Sequence, residues 1–432
     1  MRHRPFPLSA TGVLLAMLGV LAAAACSDAA SDVKAPEAGA ANGNDASMAS
    51  ESGSDSASTD GALGSDAADA SSTGCPAGST LRRAVTSCAG APLTAPAALA
   101  TDLSAGAAGD VISLGGLNEP NAPCLPVLVC TPADAPSLLF SDSPESPAQD
   151  GVLYADTAPA GHHRFYVYHA NGGTTLRKFP IVALNSGAAP AKITIVRRGL
   201  SAPSTAYVSV GKTVLLDWLA DHPPIDVTVP AGQRVLLDAS LDQLHAAKNE
   251  LVHAIYDVVT DAPLKISFVS VAAGADAAAT TAGLTLLTRD VDHQRGTFPA
   301  ADVLLVAAPG GAQKKGVQRL RLGSGDVDAT LEGIDAPTGD KQVLLGNYGM
   351  QYRIALGLAS AANAAIAPRG GEWGGALRRG ATVPVALPAA SESLGTSTDA
   401  IVLGAVGPGA AETRLLTAGG SNLAIDVFLI TP

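Results

Sequence analysis

The chain has 432 residues, of which 15% are charged and 4% aromatic, with 27 Lys and Arg against 39 Asp and Glu. That length implies two or three folded units of roughly 100–200 residues. A formal charge of −12 excludes the basic stripe that nucleic-acid binding needs to neutralise phosphates, and what remains is an acidic, extracytoplasmic globular protein.

Arg2 and Arg4 give the N-terminus a positive start, and an apolar run follows over residues 11–25. The run is shorter than the roughly 20 residues of a spanning helix and falls in the signal-peptide range. It ends in Leu21-Ala22-Ala23-Ala24-Ala25-Cys26, which resembles the lipobox of bacterial lipoproteins, with Ala23 where that pattern usually has Leu. The resemblance implies cleavage before Cys26, lipidation of its thiol, and acyl chains that anchor the protein to a bilayer. Residues 1–26 are therefore expected to be a lipoprotein signal. Residues 27–74 hold nine carboxylates against Lys34, and their only large apolar side chains are Val33, Met48 and Leu63. Such a stretch buries too little apolar surface to offset its ordering entropy, so a disordered linker is expected. Ser27 and Asp28 after the cysteine do not match the signal that retains enterobacterial lipoproteins in the inner membrane. The expected location is thus the cell envelope, anchored in the outer membrane and facing the periplasm or the surface.

Cys75, Cys88, Cys124 and Cys130 remain once Cys26 is lipidated. An even number in an exported chain implies two disulfides, with three connectivities open. No Cys-x-x-Cys is present, so zinc and redox roles lack their usual spacing. Residues 75–135 read as a cysteine-stapled segment.

Beyond it, polar and apolar residues alternate. Ile193 and Ile195 alternate with Lys192 and Thr194, and Leu264, Ile266 and Phe268 with Lys265 and Ser267. Tyr352, Ile354, Leu356 and Leu358 form one face of another run, and Leu423, Ile425, Val427 and Leu429 that of the last. Period-two runs bounded by turn residues predict antiparallel sheets. Only residues 240–250 and 93–103 read as helical. The expected fold is all-β: two antiparallel β-sandwich units, at 136–275 and 284–432, separated by the Ala/Gly-rich stretch 272–283.

Several short motifs carry a further resemblance. They are Leu139-Phe140-Ser141-Asp142-Ser143-Pro144-Glu145, Asp150-Gly151-Val152-Leu153-Tyr154, His293-Gln294-Arg295-Gly296-Thr297-Phe298-Pro299, Asn347-Tyr348-Gly349, Pro368-Arg369-Gly370-Gly371 and Gly419-Gly420-Ser421-Asn422-Leu423. Together they resemble a group of uncharacterised secreted bacterial proteins, some of which are described through an attached copper-amine-oxidase-type stalk domain. The resemblance covers about residues 138–432 and implies a β-rich protein in a cell-surface setting. It implies no catalytic residues, and no stalk domain is evident in this chain.

Gly211-Lys212-Thr213 resembles part of a phosphate-binding loop, but Ala206 stands where the second glycine is required. The flanking residues 207–210 and 214–218 read as strands, which makes Lys212 a turn residue. His162, His163, His169, His253 and His293 read as loop and strand histidines, since no spacing assembles a metal ligand set. No nucleophile motif is present. Arg369, Glu372 and Trp373 lie in a glycine-flanked loop, with Tyr348 elsewhere in the chain. A flat aromatic beside charged residues suits a sugar ring or an extended peptide, so these four are the candidate ligand-binding residues. The competing expectation is that Trp373 folds back onto the sheet as packing.

These features predict a membrane-tethered envelope lipoprotein acting as a non-catalytic binding or structural module, with an envelope glycan or protein as its partner and no cofactor. The alternatives are a glycan- or peptide-processing enzyme, for which convergent carboxylates in a cleft would be the sign, and a metal-binding protein.

Overall fold

A computed structural model describes residues 74–432 apart from 87, 310–312, 326, 329 and 396–397. The signal, Cys26 and nearly all of the expected linker lie outside the described residues. Among those described, no helix is long and apolar enough to cross a membrane.

Alternation in the sequence produces four sheets. An eight-stranded sheet runs in the order Ile225–Val229, Ala191–Leu200, Leu251–Thr260, Gly161–Ala170, Ser137–Ser141, Arg295–Phe298, Glu332–Asp335 and Asp340–Val343. It faces a five-stranded sheet built from Arg234–Leu236, Ile181–Leu184, Leu264–Ala272 and Gly151–Ala158, with Arg177–Lys178 also on Leu264–Ala272. Leu139, Phe165, Val167, Ile193, Tyr256, Ile266 and Phe268 fill the space between the two. A seven-stranded sheet runs Thr80–Val85, Val127–Thr131, Asp302–Ala307, Gln351–Ile354, Thr413–Thr417, Gly375–Arg379 and Val385–Leu387. A second five-stranded sheet, Gly316–Leu322, Ile425–Thr431, Ala362–Pro368, Asp399–Val406 and Val111–Ser113, covers it. The fold is all-β, and each half-apolar face is covered by another layer, as sheet amphipathicity requires. Two pairings are parallel, Ser137–Ser141 with Gly161–Ala170 and Asp302–Ala307 with Gln351–Ile354. The other strand pairings are antiparallel.

The two sandwiches are not consecutive in the chain. Arg295–Phe298, Glu332–Asp335 and Asp340–Val343 follow residues 272–283 yet complete the eight-stranded sheet of the first half. The expected boundary at 272–283 is not one. Small residues that read as a linker form a helical turn, Ala277–Thr280, started by the Asp276 side chain. Ala277 is buried against Val182, Val269 and Val271. The cysteine segment is equally integrated, because Val127–Thr131 is an interior strand between Thr80–Val85 and Asp302–Ala307. Its disulfides are Cys75–Cys130 and Cys88–Cys124, one of the three open connectivities.

Helix α1 (Ala97–Ala105) covers the outer face of the second five-stranded sheet through Leu99 and Leu103. Helix α2 (Tyr207–Leu219) occupies the stretch that read as two strands around a Lys212 turn. Its β-branched composition suggested a strand, but Val210, Val214 and Trp218 recur at four-residue intervals and share a buried stripe. Lys212 is buried in this helix, and its Nζ donates to the carbonyls of Pro388 (2.6 Å), Ser391 (2.7 Å) and Glu392 (3.2 Å). The helix expected at 240–250 shrinks to one turn, α3 (Ala239–Asp242).

One buried cation ties the layers together. Arg164 donates to Asp257 (2.7 and 3.0 Å) and to the carbonyl of Gly349 (2.8 Å), and pairs with Asp302 at 3.0 Å. Its guanidinium lies 4.6 Å from the centre of the Trp218 ring. These contacts join the eight-stranded sheet, the seven-stranded sheet and α2, and they fix the loop that carries Tyr348.

Candidate functional site

The glycine-flanked loop does not present its aromatic ring to solvent. Trp373 is 0% exposed, and its Nε1 donates to Thr417 Oγ1 at 3.3 Å. Its backbone pairs in both directions with Leu394 (3.0 and 2.9 Å). An aromatic-poor chain uses its few large rings as packing, and this one fills the main core. Arg369 pairs with Glu119 and, at 3.4 Å, with Asp426. Glu372 is exposed and accepts from Ser393 Oγ at 3.0 Å. Of the four candidates, Tyr348 lines a cavity.

That cavity, of 200 Å³, is lined by Asp142, Glu145, Tyr166, Tyr168, Tyr207, His293, Tyr348, Gly419 and Gly420. Four of the motifs noted in the sequence converge on it: the segment through Asp142 and Glu145, the one beginning at His293, Asn347-Tyr348-Gly349, and Gly419-Gly420-Ser421. Strand alternation explains the wall. Arg164, Tyr166 and Tyr168 share one face of Gly161–Ala170, so the strand that buries Phe165 and Val167 on one side presents tyrosines on the other. Tyr166 and Tyr168 are stacked with centroids 6.4 Å apart, and Tyr207 of α2 meets Tyr168 edge-on at 6.4 Å and 88°. The Tyr207 hydroxyl donates to Asn249 O (3.0 Å), and that of Tyr348 donates to Ser421 O.

Gly419 is required by close approach. A Cβ there would lie 2.3 Å from Tyr168 Cε2 and 3.1 Å from the Tyr166 hydroxyl. A Cβ on Gly211 would lie 2.7 Å from the backbone of Gly419. The glycine that resembled part of a phosphate loop thus seats α2 against the cavity floor.

The acidic side comes from the turn after Ser137–Ser141. His169 lies beneath it, bonding Ser141 Oγ and Pro144 O, both at 2.9 Å. Burial drives this imidazole down to about 3 and keeps it neutral. Glu145 N donates to Asp290 Oδ2 (2.8 Å), and Asp290 N donates to Ser143 Oγ (3.1 Å). Asp290 Oδ1 accepts from the backbone of Asp292 (3.1 Å) and His293 (2.8 Å) and from His293 Nδ1 (2.9 Å). With Nδ1 engaged as a donor, His293 Nε2 meets Glu145 Oε2, forming an Asp290–His293–Glu145 chain.

Asp142 stands apart from this chain. It is 7% exposed, and its Oδ1 has no hydrogen-bond partner. Burial raises its carboxyl well above the ordinary carboxylate range, and Glu145 and Asp290 add to the rise. Burial also raises Glu145, with His293 opposing and Asp290 reinforcing. At Asp290 burial pulls upward, but the backbone N–H groups of Glu145 and His293 and the His293 ring outweigh it and hold the carboxyl low. Tyr348 is pushed up to about 12 by burial and by the charges of Asp142 and Glu145.

His253 backs the tyrosine wall, its ring 4.7 Å from that of Tyr166 and 5.3 Å from that of Tyr168. His163 and His253 are strand residues and buried. Among the described residues no group of three or more His, Cys, Asp or Glu is arranged to hold a metal ion. A larger hollow of 640 Å³ shares His293, but its arginines are already engaged. Arg289 donates to Gln342 at 2.5 Å, and Arg295 pairs with Asp335 and donates to the carbonyls of Leu153 and Leu287.

Reading the sequence missed Asp142, Glu145, Tyr166, Tyr168 and Tyr207 as site residues. The available signal was the Tyr166-x-Tyr168 alternation, which places both rings on one strand face.

No protein-family model matches the chain, and no curated protein matches it. Among solved structures, the oxalate decarboxylase of Lactobacillus farciminis in its formate complex aligns over 76% of this chain and 88% of that one. The identity is 10% and the TM-score 0.13, too slight a likeness to carry an argument.

Proposed function

We propose that the protein is a cell-envelope lipoprotein, tethered at Cys26 in the outer membrane, whose folded region binds a small ligand non-catalytically in the tyrosine-walled cavity. The observation that carries this reading is Asp142. A buried polar atom without a partner costs about 1–3 kcal/mol, and Asp142, whose Oδ1 is such an atom, lines the cavity that a ligand would fill. The cavity is smaller than the roughly 300–1,000 Å³ of drug-sized sites, which fits a headgroup or a single ring.

Calorimetric titration of the mature protein with envelope-derived small molecules and glycan fragments tests the reading. Saturable binding that is weakened by Tyr168→Ala and abolished by Gly419→Ala supports it. Binding that ignores both substitutions rejects the cavity as the site.

A second reading, hydrolysis of an envelope glycan, is favoured by the convergence of Asp142 and Glu145 on one cavity. Glycosidases pair a carboxyl held protonated with a second carboxylate. Release of reducing ends from envelope glycan, lost in both Asp142→Asn and Glu145→Gln, would replace the binding reading with this one.

A further inference from the structure

We propose that the cavity takes a small organic ammonium group, either the head of a free amine or quaternary ammonium compound or the side chain of a lysine in a partner chain. This rests on the reading of the cavity as a ligand site and names the chemistry of its occupant.

Charge is the first argument. Asp142 and Glu145 line the cavity, Asp290 is hydrogen-bonded to the backbone of Glu145, and no Lys or Arg lines it. The one lining residue able to carry positive charge, His293, is held between Glu145 and Asp290. His253 behind the wall donates no charge either. Its Nδ1 is hydrogen-bonded to Val167 O at 2.7 Å, and burial keeps the ring neutral. Phosphates and carboxylates are repelled, and cations are drawn in.

The walls are the second argument. Ring faces attract cations through their quadrupole, and recognition of quaternary ammonium groups by aromatic cages is the best-known use of that attraction. Tyr168 and Tyr207 meet at 88° and make a corner, and Tyr166 and Tyr348 extend it. The floor is Gly419-Gly420, where any side chain would fill the space.

The third argument is what the cavity lacks. A sugar needs several free donors and acceptors, yet the hydroxyls of Tyr207 and Tyr348, both nitrogens of His293 and both oxygens of Asp290 are already engaged. The carboxylates are not arranged as metal ligands. Asp142, whose Oδ1 has no hydrogen-bond partner, lines the cavity among aromatic rings, a setting that complements one cationic, otherwise apolar group.

Occupancy also couples to protonation. In the empty cavity burial and the charges of Glu145 and Asp290 raise the Asp142 carboxyl well above the ordinary carboxylate range. An arriving ammonium favours the carboxylate, so binding releases a proton and tightens with rising pH, by at most tenfold per unit. The other titratable groups around Asp142 are Glu145, Asp290, His293, His169, Tyr166, Tyr168 and Tyr348.

The test is titration of the mature, full-length protein in detergent with tetramethylammonium, choline, 3,3-dimethylbutan-1-ol (the neutral carbon isostere of choline), N-acetylglucosamine and a lysine-containing peptide, from about pH 5 to about pH 8. The expected result is saturable binding of choline or the peptide, at least tenfold weaker binding of the isostere, and affinity that rises with pH. Asp142→Asn should remove the pH dependence and weaken binding at least tenfold, while its thermal unfolding curve, recorded beside the titration, shows that the variant folds. Tighter binding of choline points to a free compound, and tighter binding of the peptide to a chain-borne lysine. Equal binding of choline and its isostere overturns the inference. If N-acetylglucosamine binds at these tyrosines and no ammonium probe does, the inference falls and the ligand-site reading stands. If nothing in the panel binds, both fall.

Discussion

Replacing Trp373 with Ala should cost stability without abolishing ligand binding. The side chain is 0% exposed and lies in the core shared by the seven-stranded sheet, α2 and the second five-stranded sheet. A Trp side chain buries roughly 200 Å², which at about 25 cal/mol per Å² amounts to about 5 kcal/mol of transfer free energy. Measured truncations of this kind fall at about 3–5 kcal/mol. Two features place this one in that range. A Cβ on Gly375 would lie 2.7 Å from Trp373 Cζ2, so the sheet already touches the ring. The backbone is also pinned by paired hydrogen bonds to Leu394, which restricts collapse into the vacated space. At roughly 2 °C per kcal/mol for a unit of this size, the melting temperature should fall by about 8 °C. Thermal unfolding by circular dichroism, run beside a binding titration well below the transition, measures both effects. Trp373→Phe should recover about half of the loss. A Trp373→Ala protein that loses less than about 1 kcal/mol while its ligand binding disappears would refute the packing argument and restore the loop as a site.

Other outcomes follow from the same geometry. Cys88 and Cys124 are 36 residues apart, so Cys88→Ser with Cys124→Ser should cost about 4 kcal/mol in the chain-entropy account. Thiol titration of the unfolded, unreduced protein should find none of Cys75, Cys88, Cys124 or Cys130 free. Two or more reactive thiols among them would contradict both bridges. Burial lowers His253 from an ordinary 6.5 to about 4, so on acidification the unfolded chain takes up the proton first. Its contribution is complete above about pH 6.5 and is lost as the pH falls towards about 4, up to about 3 kcal/mol. Urea unfolding across that window should show a shallower pH slope, by nearly one proton, in His253→Gln, and an unchanged slope would count against a neutral buried imidazole. Cys26→Ser should move the protein from the detergent phase to the aqueous phase, and identical partitioning of variant and wild type would end the lipid-anchor proposal.

What local pattern determines was legible. Ile193 and Ile195, Leu264 to Phe268, and Ile425 to Leu429 alternate because a strand with one buried face needs that period, and each became a strand. The four cysteines of the folded region announced two disulfides, since parity and export are properties of the chain itself. Where local pattern is ambiguous, packing decided. The Tyr207–Leu219 segment has the composition of a strand and became a helix because its four-residue apolar spacing found a core to fill. Residues 272–283 have the composition of a linker, yet Ala277 is buried. Trp373 could have pointed outward or inward, and the choice rested on neighbours more than 20 positions distant, Leu394 and Thr417.

The cavity was least legible of all. Asp142, Tyr168, Tyr207, His293, Tyr348 and Gly419 are spread over nearly 280 residues, and no spacing in the chain relates them. They meet because the parallel pairing of Ser137–Ser141 with Gly161–Ala170 sets the acidic turn beside the tyrosine strand, and because α2 approaches Gly419 where neither backbone carries a side chain. A period is a property of one segment and can be read along it. A site is an intersection of segments, and only the fold brings them to one place.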